Sequence, residues 1–122
     1  MGYIRHHAII ATSYDDKIIT KVHARACELF VNIGDIIKSP VNGYCSVFIP
    51  PDGSKEGWIA SKNGEISRRE LIQFMEEFRY DDGSMPITWV YVQYGDENRE
   101  TLIVDHSDNK IHRIQSILSS ED

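Results

Sequence analysis

Residues 3–13, YIRHHAIIATS, are β-rich and carry a charge only at Arg5, which predicts a strand. Tyr3, Arg5, His7, Ile9 and Ala11 fall on one face, and Ile4, His6, Ala8, Ile10 and Thr12 on the other. From His7 onward both faces are nearly apolar, so this strand belongs in the middle of a sheet, covered at least partly on both sides. The period then changes. Ile19, Val22, Ala26, Leu29, Phe30 and Ile33 recur at helical spacing and predict a helix over 16–33. Asp15 or Ser13 is placed to cap it, and Gly34 to end it.

Residues 36–39 read as a connector closed by Pro40, and 41–49 as a second strand. Ser67-Arg68-Arg69-Glu70 has the form of a capping box, so a second helix is expected to start there. Leu71, Met75 and Phe78 mark its apolar side, and Asp81 to Ser84 with Pro86 break it. Residues 87–94, ITWVYVQY, give the strongest strand signal. After a turn at Gly95–Asn98, residues 100–106 return as its hairpin partner. A last short helix over 109–118 is expected, capped by Asp108, with Ile111, Ile114 and Leu118 facing inward and 119–122 frayed.

The expected order is βαβαββ(α) in one domain spanning 1–122. It predicts an α+β two-layer sandwich, a four-stranded sheet with both main helices on one face. If the first two strands are neighbours, the helical crossover should make them parallel. A chain of 122 residues with 41% apolar content can bury one core without disulfides. Cys27 and Cys45 form no C-x-x-C and are expected to be buried. No apolar run is long enough to span a bilayer, and the N-terminus lacks the apolar region of a signal peptide. The expectation is a cytosolic protein.

The whole net charge of −6 lies in residues 62–122. Such a chain is a poor partner for duplex nucleic acid, whose binding rests on neutralised phosphates. An acidic surface suits a basic protein partner instead.

Residues 39–58, SPVNGYCSVFIPPDGSKEGW, are the most specified stretch. The Asp52–Gly57 turn, with Ser54 and Lys55, could cradle an anion on its backbone N–H groups, although it is not a Walker A loop. Arg68 and Arg69 follow at the expected helix start, where an anion is also favoured. Tyr44, Phe48 and Trp58 could stack on a base. Together these seven side chains suggest a seat for a small nucleotide. A second arrangement, His6 or His7 with His106 and Asp105, suggests a small histidine-dependent hydrolase or phosphoesterase. His7 and His106 lack the H-x-[ST] form of a two-histidine phosphoesterase, and adjacent strand histidines cannot share one metal. No metal or cofactor is expected.

The segments GYIRHHAII, SPVNGYCSVFIPPDGSKEGW and WVYVQYGDE are together similar to a family of small accessory proteins of tailed bacteriophages. The resemblance covers roughly residues 2–106 and brings no catalytic residues with it. It implies a protein acting in the cytoplasm of an infected bacterium. There it would counter host defence as a non-enzymatic binder, by sequestering a nucleotide signal or by binding a host protein. Sequestration favours a homo-oligomer, and the large side chains of 87–94 are available for its interface.

Overall fold

The computed structural model describes residues 4–95 and 101–120. The elements run β1 (His6–Ser13), α1 (Asp16–Leu29), β2 (Ile37–Lys38), β3 (Cys45–Ile49), α2 (Ile59–Glu76), β4 (Ile87–Tyr94), β5 (Leu102–His106) and α3 (Lys110–Ser120). The α+β class stands, but among the described residues the sheet has five strands, in the order β2-β3-β1-β4-β5. The fifth is β2, whose two residues are too few to show any period in the sequence. Tyr3 of the first expected strand, the expected turn beyond Gly95, and Glu121 and Asp122 of the tail lie outside the described residues.

All strand pairs are antiparallel, which corrects the expected parallel pairing of the first two long strands. The reason is the hairpin that follows α1. β1 and β2 do run parallel, as a crossover through a helix requires. A turn over 39–44 then sends β3 back between them, with Ser39 N–H bonding Tyr44 O at 2.8 Å.

α1 is capped by Asp15, whose side chain accepts from the N–H groups of Lys17 and Ile18. The helix stops at Leu29, not at Ile33, because Phe30 is already extended at φ −132° and ψ 152°. Phe30 and Ile33 still pack against the core, so extended chain continues a stripe that helical spacing had suggested. α2 starts at Ile59, eight residues before the expected capping box, which lies inside the helix. Asn63-Gly64 disguises this first half, since glycine costs about 1 kcal/mol in a helix interior.

One side of the sheet carries the core. Ile9, Ala11, Val47, Ile49, Ile87, Trp89 and Tyr91 meet Ile19, Val22 and Ala26 of α1 and Leu71, Ile72 and Met75 of α2. Cys45 joins them, whereas Cys27 is exposed. The partners across β1 place the opposite set together: Ile10 beside Phe48 and Val90, Thr12 beside Ser46 and Thr88, Ala8 beside Val92, and His6 beside Tyr94. Ile37, Ile103 and His106 extend that face. None of these strand positions holds Asp, Glu, Lys or Arg. In β5 the register slips between Tyr91 and Val92, leaving Val104 as an extra residue.

α3 turns over relative to expectation. Ile111, Ile114 and Leu118 are 62%, 54% and 58% exposed. Its fastening contacts include polar ones: His112 Nε2 sits 3.0 Å from Asp105 Oδ2, and Ser116 Oγ donates to Tyr80 O at 3.2 Å. The Ile111 N–H is capped by Asn109, not Asp108. The residues that reach inward are therefore His112, Ser116 and Ile117, not the expected isoleucines and leucine.

No helix among the described residues is long and apolar enough to cross a membrane.

Beneath α3, Arg79 is held on every side, its side chain 3% exposed. Its Nε and Nη2 donate to the two Glu76 oxygens at 2.8 and 2.9 Å. Nη1 reaches Gly83 O at 2.7 Å and Nη2 reaches Ser107 O at 2.8 Å. Glu76 also accepts from Trp89 Nε1 at 2.9 Å. Arg79→Ala leaves that carboxylate without its cation and two carbonyls without this donor, so urea unfolding should show a loss of about 3–5 kcal/mol. A loss near zero would mean that solvent replaces the guanidinium.

Candidate functional site

α2 presents Ser61, Glu65 and Arg68 at helical spacing toward the 50–58 loop. Between that loop, this face of α2 and the ends of β1 and β4 lies a polar cleft of about 160 Å³. His7, Glu56, Ser61, Arg68, Tyr91 and Gln93 are among its walls. Glutamate and arginine on α2, histidine on β1 and tyrosine on β4 are thus brought together from distant parts of the chain.

Arg68 is the anchor. It is 3% exposed, and a guanidinium so buried needs partners. Its Nε donates to the Tyr91 hydroxyl at 3.0 Å, and Nη1 lies 3.6 Å from Asp52 Oδ2. Arg69 is exposed, and its guanidinium carbon stands 5.5 Å from the centre of the Tyr91 ring. His7 Nε2 lies 2.7 Å from Glu56 Oε1, while His7 Nδ1 is buried without a hydrogen-bond partner.

The loop therefore brings carboxylates to Arg68 and to His7. Asp52 faces Arg68 and Glu56 faces His7. Partial burial alone would raise the Asp52 pKa. Hydrogen bonds from Ser54 Oγ and N–H, with the Arg68 and His7 charges, outweigh it and hold the carboxyl below its usual value. Gly64 makes room for this contact, because a side chain at that helix position would collide with the Asp52 carboxylate.

Two N–H groups of this stretch are already engaged. Ser54 N–H bonds Asp52 Oδ1 at 2.8 Å, and Trp58 N–H bonds Lys55 O at 3.1 Å. Ser54 Oγ also donates to Asp52, and Lys55 Nζ sits 5.5 Å from the Trp58 ring centre. Both Lys55 and Trp58 are exposed beside the cleft.

The expected ligand residues are divided by the sheet. Arg68 and Arg69 lie on the helix side, with Ser54, Lys55 and Trp58 in or beside the neighbouring loop. Phe48 projects from the other side, beside Ile10, and Tyr44 lies near Tyr14 at the sheet's end. Arg68 and Phe48 thus lie on opposite sides of the sheet.

The histidine arrangement is not assembled either. His6 packs on Tyr94 on the open face, whereas His7 faces Glu56 on the other. His106 pairs with Val90, four register positions from the partner of His6, roughly 13 Å along the strand. Asp105 points to the helix side, where it binds His112 and Asn109. Among the described residues, no group of three His, Cys, Asp or Glu could hold a metal ion.

The sequence does not single out Glu56, Ser61 or Gln93, whereas Tyr91 is visible as an inward aromatic in the alternation of β4. A larger hollow of about 380 Å³ lies between α2 and α3. Its charged walls include Glu76 and Arg79, which already bind each other.

No family model, curated protein or solved structure matches the chain.

Asp105 supplies a pH test. Burial pushes its pKa up, but hydrogen bonds from Asn109, His112 and the His106 N–H, with the His112 charge, hold it below the ordinary value. A lowered folded pKa means that its stabilisation is complete above the unfolded value of about 3.9 and is lost as pH falls through the folded value. Thermal melts should therefore separate the native chain from Asp105→Asn most widely above about pH 5, and the gap should narrow below about pH 4. A constant gap would show that the carboxylate charge is not what α3 uses.

Proposed function

We propose that this protein is a non-enzymatic binder that captures a small nucleotide at the Arg68–Arg69 cleft and holds it without turnover. The observation that carries the reading is the buried, oriented guanidinium of Arg68 with Arg69 beside it over one tyrosine ring. Arginine forks suit phosphate oxygens, and Ser61 in the same wall adds a hydroxyl. A cleft of about 160 Å³ takes a phosphate-sized group and leaves the base outside. Trp58, the residue before α2, stands about 15 Å along the helix axis from Arg68, a gap that two long side chains shorten. It can stack on the base.

In this reading Asp52 occupies Arg68, and Glu56 holds His7, until a phosphate displaces them. They lower the affinity and keep the buried charges paired in the empty protein. The resemblance to phage accessory proteins supplies the context: capture of a defence signal in the host cytoplasm. A second mode, binding of a basic host protein, rests on the net charge of −6 carried by residues 62–122.

The two loop and helix variants test the first mode in opposite directions. Arg69→Ala should weaken nucleotide binding by about 1.5–3 kcal/mol. Asp52→Asn should tighten it by a factor of a few, because an internal competitor is removed. Calorimetric titration with a panel of linear and cyclic nucleotides measures both, and mass spectrometry after heat release should recover the ligand unchanged. Absence of binding by every nucleotide, in the native chain and in Asp52→Asn, would remove this reading.

A further inference from the structure

The open face of the sheet has a composition unlike the rest of the molecule. The chain carries a net charge of −6, and charged residues make up 26% of it. Yet the outward strand positions of five strands include no Asp, Glu, Lys or Arg. Ile10 is 44% exposed and Phe48 48% exposed, side by side on β1 and β3. Ile37 and Ile103 are exposed on the two edge strands. An antiparallel sheet with one wet face normally alternates apolar-in with polar-out. Here the outward set is itself largely apolar, as expected of a face that is covered.

We infer that a second copy of this chain covers it, the two sheets packing face to face about a two-fold axis. Charge selects this occupant. Two molecules of the same net sign repel through their charged surfaces, and this face lets them meet without opposing like charges. A charged partner surface would bury its charges against Ile10, Phe48 and Val92 without counter-ions. An identical face brings none.

A two-fold interface requires a patch that complements itself, and the register supplies one. β1 and β4 form its apolar middle, and Thr12, Ser46 and Thr88 form a hydroxyl row beside it. Sheets stacked in this way lie about 10 Å apart, with side chains of the two faces interleaved. At about 3.3 Å per residue and 4.8 Å per strand, these strands project on the order of 450 Å² per copy. Two such faces, with Tyr14 and Tyr44 at one end, approach the roughly 1,000 Å² of a specific interface. The Arg68 clefts lie on the helix side, so the dimer carries two of them facing away from each other. This inference is independent of what those clefts bind.

Sedimentation of the whole chain up to about 200 µM tests it, since mass action fills a dimer with concentration. The native chain should reach dimer mass and keep it in about 1 M salt, where charge pairs are screened. Ile10→Lys and Phe48→Lys should each weaken association at least tenfold with an unchanged melting temperature when measured as monomers. If either variant fails to fold, Thr88→Lys, an exposed position of the same face, takes its place. A native chain that is monomeric throughout overturns the inference and leaves the face to a different protein. So does a dimer that survives the lysine variants.

Discussion

The central strand makes one choice that the other elements inherit. β1 pairs with β3 on one side and β4 on the other, and so sets which residues of both point toward the helices. Ile9 and Ala11 go under α1 and α2, and Ile10 and Thr12 go out. A slip of one residue would exchange the two sets in a single step. The core, the cleft and the open face are therefore three results of one alternation. His7 faces the cleft and His6 faces away from it for the same reason.

Two arginines on α2 and just beyond it fix what packing alone would leave free. Arg68 joins β4 to α2 through the Tyr91 hydroxyl and lies against the 50–58 loop through Asp52. Arg79 joins the end of α2 to the segments before β4 and after β5. A buried guanidinium is costly without partners, and each of these has partners from several elements. The polar pairs specify geometry more than they add stability. They hold a cleft at one end of α2 and α3 at the other.

What could be read from the sequence follows from locality. β1, β4 and the start of α1 are periodic over many residues, and their positions were legible. β2 is too short to have a period. The first half of α2 contains Asn63-Gly64, and the reason a glycine is useful there is a carboxylate at Asp52, in the loop before the helix. Arg68 reads as a surface residue because arginine usually is one. Its burial depends on Tyr91, and the His7–Glu56 contact spans 49 positions. No spacing rule reaches that far. In α3 the pattern was visible but pointed the wrong way, since Asp105 and Glu76, near His112, lie on other elements. The seven expected ligand residues divided for a simpler reason. Phe48 has the parity of Ile10, and the arginines sit across the sheet.

The extra residue at Val104 has a consequence for both sides of the sheet. With an unbroken register, Val104 would stand opposite Tyr91 and Asp105 opposite Val90. The carboxylate would then project among Ile10, Val92 and Ile103, and His106 would turn inward. The bulge reverses this by adding one position, so that Asp105 stands opposite Tyr91 instead. One inserted valine thus acts as a parity switch: it clears the only acid of β5 from the outer surface and delivers that acid to His112, where α3 is fastened.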